Sequence, residues 1–323
     1  MTNSKMWQSL NATLHNEMRL DPSIVLFGED VASAGGTFGV TRKLAMEFGK
    51  DRVFDTPITE QCLIGMAAGA ALGGLRPIVE ILFADFLLLG SDALVNQAAK
   101  MRYFSGDKVN IPMTIRVGVG TGRGMGGQHS QNLEGWFAGV PGLKVVWPST
   151  AASSASMLRA AIRDPGPVVV FESVQEYPRI DTTIPEATVG IGDSITRRNG
   201  DDITLVTWGG AVRVIDQVAE QMGATVSCEV IDLVSLAPWD VESVVASVNR
   251  TGRCLVIHNA ITDFGPGAEI ACTVNERSFA SLRGPVRRVG SPRVTAPQTK
   301  SLEELRLPSA EGVVEAIRSM TSV

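Results

Sequence analysis

Residues 120–137 read GTGRGMGGQHSQNLEGWF, with five glycines in the first eight positions and His129 between Gln128 and Gln131. An imidazole that titrates near neutrality, at the end of a segment free to take positive φ, can move a proton or orient a substrate. Gly122, Gly124 and Gly127 match G-x-G-x-x-G. The dinucleotide fingerprint also needs direct entry into a helix and an acid about 20 residues on, after the next strand. Here the next strand, KVVWPS, ends in Trp147-Pro148, and Gln128 and His129 stand at the helix entry. A phosphate loop is excluded too, because no Gly-Lys-Ser/Thr follows. A plain surface loop explains the glycines and leaves the histidine unexplained. The second reactive group is Glu60, in TPITEQCLIGMAAGAALGG, at the mouth of a helix of small and apolar residues. Thr59 or Glu60 can cap that helix. A carboxylate against an apolar wall is also costly to ionise, which suits it to share a proton with a ring nitrogen.

The elements that must position these groups follow from the hydrophobic pattern. MWQSLNATLHNEMRLD has helical spacing, and SIVLFGED reads as a buried strand ending in acid. The small-residue helix after Glu60 is followed by the strand RPIVEILF and a longer helix, LGSDALVNQAAKMRYF. PMTIRVGVG, KVVWPS and GPVVVFES are further strands. TAASSASMLRAAIRD is a helix capped by Ser149 or Thr150. Residues 174–202 carry two prolines and no sustained period, as an interdomain connection does. Beyond them the alternation restarts: ITLVTWG, SCEVIDLVSL, RCLVIHNA and PVRRVGSP as strands, with helices between. Strands alternating with helices predict parallel α/β sheets. The expected domains are 1–178 and 201–323, joined by a linker over 179–200.

Length and composition fit this. The 323 residues suffice for two domains, and 44% hydrophobic with 20% charged residues describes a globular chain. A net charge of −5 gives no electrostatic footprint for nucleic acid. The longest apolar run is broken by Asp85 and Asp92, so no membrane span is expected. The N-terminus has neither a signal-peptide nor a transit-peptide pattern. The four cysteines (Cys62, Cys228, Cys254, Cys272) lack C-x-x-C spacing and sit among apolar residues, which predicts buried reduced thiols and a cytoplasmic setting.

Several ordered segments together strongly resemble one family. FGEDV, RVFDTPITEQCLIGMAAGAALGGLRPIVEILFADF, VNQAAKMRY, QHSQNLEGWFAGVPGLKVVWPST and EVIDLVSLAP are similar to the β subunit of thiamine-diphosphate-dependent 2-oxo acid dehydrogenases, of pyruvate, branched-chain or acetoin type. The resemblance runs from about Trp7 to the end. It implies a transketolase-like pyrimidine-binding domain followed by a smaller transketolase C-terminal α/β domain. It also implies a heterotetramer with an α subunit that holds the cofactor diphosphate and magnesium through a Gly-Asp-Gly motif, which does not occur in this sequence. Glu60 falls on the glutamate that hydrogen-bonds the aminopyrimidine, where a shared proton favours the imino tautomer that activates the thiazolium carbon. Ile58, Leu82 and Phe86 fall on positions packing around the pyrimidine. His129 falls on the active-site histidine that orients the 2-oxo acid or assists acyl transfer to lipoamide on a lipoyl acyltransferase. Met113, Ala161, Ile162, Asp164 and Gly166 fall where some relatives bind potassium, largely through backbone carbonyls. The chain departs from the family at Val234, where arginine is usual, and at Asn259, where glutamate is usual; FESVQEYP also lacks a basic residue often found there. These departures leave open a decarboxylase or carboligase acting outside a classical complex. Intact Glu60 and His129 speak against a purely structural role.

Overall fold

The computed structural model describes residues 4–180 and 189–321. In chain order the first strands are β1 (Ile24–Gly28), β2 (Val53–Asp55), β3 (Arg76–Ile81), β4 (Thr114–Val119), β5 (Lys144–Val146) and β6 (Val168–Ser173). They are followed by β7 (Ile195–Arg198), β8 (Ile203–Thr207), β9 (Cys228–Asp232), β10 (Ser235–Ala237), β11 (Cys254–Ile261) and β12 (Arg287–Ser291). The first sheet has the order β10-β5-β6-β4-β3-β1-β2 and the second β12-β11-β8-β9-β7. β1, β4 and β6 are buried along their whole length, as continuous apolar runs covered on both faces must be. Each fully buried Val or Ile there contributes about 1.5–3 kcal/mol of transfer free energy.

Both sheets are parallel in their interiors and antiparallel at one edge, a refinement of the all-parallel expectation. β7 pairs antiparallel with β9 at the end of the second sheet. It lies inside the stretch read as a connection, because its alternating ITRR carries only one apolar face. Of the linker expected over 179–200, residues 181–188 lie outside the described residues. SCEVIDLVSL, read as one strand, is two: β9 stays in the second sheet and β10 crosses over to pair antiparallel with β5. The segment 89–104, read as one regular helix, is wound as a π-helix over Asp92–Ala98 and as an α-helix only over Ala99–Phe104. Thr150 caps the helix Ala151–Arg163, accepting from the Ser153 amide. Cys228 and Cys254 are buried as expected, whereas Cys62 and Cys272 are exposed. The apolar neighbours of Cys62 belong to a helix whose outer face is itself apolar. No helix among the described residues is long and apolar enough to cross a membrane.

A buried ion cluster ties the central strands. Arg116 on β4 donates to both carboxylate oxygens of Glu172 on β6, at 2.9 and 2.6 Å, and to Glu80 on β3. The Tyr177 hydroxyl donates to Glu172. Burial opposes the charge on Arg116, but Glu172 and then Glu80 hold its proton more tightly than usual.

The two domains also meet through polar contacts. The Ser149 hydroxyl of the first domain donates to Asp232 of the second, whose carboxyl burial pushes up to about 7. Trp208 of the second domain donates to Glu134 of the first at 3.2 Å and stacks on His258, with ring centroids 4.9 Å apart.

Candidate active site

The sheet order β4-β3-β1-β2 brings four sequence-distant segments to one edge. Glu29 follows β1, Leu82 to Phe86 follow β3, the glycine loop follows β4, and Glu60 opens the helix after β2. Carboxyl ends of adjacent parallel strands are where open α/β sheets place ligands. Glu60 begins the helix Glu60–Leu72 and is 5% exposed. Thr59 makes no capping hydrogen bond, so the capping role considered for it is not used. Glu29 is also buried, with one carboxylate oxygen unpartnered. Burial first, then the charges of Glu60 and Asp30, raise its proton affinity. Two buried acids that feel one another are a setting in which a proton is held and moved.

His129 closes the glycine loop. Its ring lies edge-on to Phe83 and Phe86, at 4.9 and 5.3 Å between centroids. Phe86 and His129, singled out separately, therefore meet. The loop needs its glycines: a Cβ on Gly120 would come within 2.1 Å of the His129 carbonyl oxygen. Gly124, at φ +71, donates its amide to Glu303 of the second domain at 2.6 Å. Asp85 anchors the other end by accepting from the amide and side chain of Gln131, at 3.3 and 2.9 Å. Burial raises the Asp85 carboxyl, and the Gln131 contacts oppose that rise. Thr121 adds bonds to the Ser130 carbonyl at 3.0 Å and to Asn132 at 2.5 Å.

Leu82 is partly buried at the end of β3, and Ile58 is 79% exposed just before Glu60. The helix behind Glu60 shows Cys62, Gly65, Met66, Gly69 and Leu72 on its outer side. An apolar helix with a bare face of small residues is suited to close packing against another chain. Among the described residues no group of three His, Cys, Asp or Glu is arranged to hold a metal ion.

The five residues singled out for potassium surround the junction of the helix Ala151–Arg163 with β6. The Met113 carbonyl accepts from the Val168 amide, and that of Ala161 from the Asp164 amide. The carbonyls of Ile162 and Asp164 accept from Arg76 at 2.9 and 3.3 Å. The Asp164 carboxylate takes Lys144 at 2.5 Å and the Gly166 amide at 2.8 Å. Only second lone pairs of those carbonyls remain for a cation. Of the three family departures, Val234 is fully buried with its carbonyl accepting from the Trp147 amide, and Asn259 lies beside Gly210 near Ser173.

Sequence reasoning passed over Glu29, Phe83 and Asp85 as functional groups. Each stood in a quoted segment, and the signal was an acid or aromatic directly after a buried strand.

Comparison with known proteins agrees with this fold. Residues 3–179 match the family model described as "Transketolase, pyrimidine binding domain", and residues 192–313 match "Transketolase, C-terminal domain". The chain is 42% identical to 2-oxoisovalerate dehydrogenase subunit beta 2, mitochondrial, of Arabidopsis thaliana, over 97% of this chain and 88% of that protein. It is 37% identical to the pyruvate dehydrogenase E1 component subunit beta of Bacillus subtilis, over 99% of each. Among solved structures, one titled "Split gene transketolase, inactive beta4 tetramer" has the same fold, with a TM-score of 0.81 at 21% identity over 98% of each chain.

Proposed function

This chain belongs to the β-subunit family of the 2-oxo acid dehydrogenase first component, and on that premise we propose that it decarboxylates a 2-oxo acid and passes the acyl group to lipoamide, together with an α subunit. The observation that carries the reading is the convergence of buried Glu60 and Glu29 with His129 and Phe86 at one sheet edge. These residues fit the pyrimidine end of thiamine diphosphate: a buried carboxyl beside apolar and aromatic side chains, with Glu29 keeping an unpartnered oxygen. When bound, that cofactor supplies an electron sink at its thiazolium carbon.

This chain's residues do the rest. Glu60 shares a proton between its carboxyl and the ring nitrogen, and the charge of Glu60 adds to burial in raising the proton affinity of Glu29 beside it. Leu82 and Phe86 orient the ring and exclude water, and Ile58 does so once a partner covers it. His129, braced by Phe83 and Phe86, presents its imidazole to the substrate or the acyl acceptor. The α subunit packs on the bare face of the helix Glu60–Leu72 and brings the diphosphate and magnesium site, in an assembly of two α and two β chains. A lipoyl acyltransferase is the onward partner. A potassium ion at Met113, Ala161, Ile162, Asp164 and Gly166 would share carbonyls with Arg76; a potassium-dependent rise in melting temperature, absent with sodium, tests it.

The functional test is co-expression with the α subunit and assay of lipoamide acylation from pyruvate and 3-methyl-2-oxobutanoate. Glu60→Gln should lower turnover by about 10²–10⁴ with the fold intact. Turnover with a carbonyl acceptor but none with lipoamide would refute the dehydrogenase reading in favour of a carboligase.

A further inference from the structure

On the outer side of the His129 loop lies a cleft of about 410 Å³ between the two domains. It is walled by residues between 127 and 136 of the first domain and by residues between 260 and 266, residues 293–296 and Arg306 of the second. We propose that this cleft binds a small metabolite through a carboxylate or phosphate group seated on Arg306.

Arg306 ends the helix Lys300–Arg306 and is 8% exposed. Its Nε and Nη2 are buried with no hydrogen-bond partner. So are the Ser130 hydroxyl and the Asn132 side-chain amide nitrogen, on the wall that the first domain contributes. A buried guanidinium with two nitrogens left without acceptors is among the costlier arrangements in a protein interior. Three residues offering donors to one cleft are complementary to an oxyanion, which is acceptor-only and binds Arg with charge-assisted strength. The nearby acid, Glu303, accepts from the Gly124 amide at 2.6 Å through one oxygen; its other oxygen is buried without a hydrogen-bond partner, and its charge favours that of Arg306 without pairing Nε or Nη2. Asp263 is the acid in the lining, and the exposed Arg293, 5.8 Å over the Phe264 ring, balances its charge. Trp136 and Phe264, 71% and 87% exposed, give the rim an apolar body. The cleft therefore suits an anion carrying an apolar skeleton rather than a bare ion.

The location gives binding a consequence. Thr121 holds Ser130 and Asn132, and Gly124 holds the helix of Arg306 through Glu303. The His129 ring turns the other way, onto Phe83 and Phe86. An anion bridging Arg306 to Ser130 would tie the second domain to the loop that carries His129, and so order that loop from behind.

The test is calorimetric titration of the assembled α/β enzyme with inorganic phosphate and, separately, with succinate, at constant ionic strength against chloride. Saturable binding of one probe per β chain is expected, weakened at least about tenfold by Arg306→Met and by a smaller factor by Ser130→Ala. Binding of phosphate alone or of succinate alone identifies which group the site takes. Hydrogen exchange of residues 120–132 should slow with the probe in the wild type and not in Arg306→Met. Unchanged affinity in both variants, a heat matched by chloride (an adventitious ion only), or no binding of either probe would overturn the proposal. If Arg306→Met does not fold, Ser130→Ala and the exchange measurement decide it.

Discussion

Glu134→Gln should change how stability depends on pH, and by an amount the structure specifies. Glu134 opens the short helix after the His129 loop, is fully buried, and accepts from Trp208 through one oxygen while the other has no partner. Burial pushes its carboxyl from the usual 4.5 up to about 7. The folded state therefore keeps a proton that the unfolded chain releases from about pH 4.5 upward. Stability from this group is full below pH 4.5, falls as pH rises towards 7, and is level beyond. The total loss is about 3 kcal/mol. Glutamine keeps an acceptor for Trp208 but buries amide donors, which costs about 1 kcal/mol at every pH. The variant should be about 1 kcal/mol less stable at pH 4 and about 2 kcal/mol more stable at pH 8. Denaturant titrations of both proteins at the two pH values measure this directly. The difference between them isolates Glu134 from Asp232 and the other titrating groups. A difference that stays constant from pH 4 to pH 8 would refute the buried-proton account.

His129→Ala in the assembled enzyme should leave the melting temperature nearly unchanged and lower turnover by about 10²-fold, read by steady-state kinetics; retained turnover would make the histidine a loop anchor. Arg116→Met strands Glu80 and Glu172 in the core and should cost about 3–5 kcal/mol in urea denaturation, a loss that acid partly restores. Gly120→Ala forces the His129 carbonyl away from a Cβ only 2.1 Å off and should lower turnover at least about tenfold with little change in overall unfolding; wild-type kinetics would show that the loop absorbs the shift.

The central strands were legible because a strand buried on both faces has to be written as an unbroken apolar run, as VVVF of β6 is. Glu60 and His129 were legible as chemistry by their surroundings, and their convergence followed only with the strand order. Other features depend on register and on contacts between domains, which local pattern does not carry. Arg116 and Glu80 each stand inside an apolar run, a sign that a buried partner exists, but the partner is named by the pairing of β3 with β4 and β6. Cys62 looked buried because its neighbours are apolar; the apolarity serves an outward face. Nothing local in the sequence marks Arg306 as buried; the packing around the end of its helix hides it.

The crossing of β10 has a consequence for how this chain can be cut. Val145 and Val146 of β5 would form a bare, hydrophobic margin of the first sheet if Ser235 and Ala237 were removed. Unprotected margins of that kind recruit strands from neighbouring molecules. A fragment ending near residue 190 should therefore self-associate. The second domain thus doubles as a built-in chaperone for the first, contributing three residues of selvedge that keep the larger sheet from fraying into its neighbours.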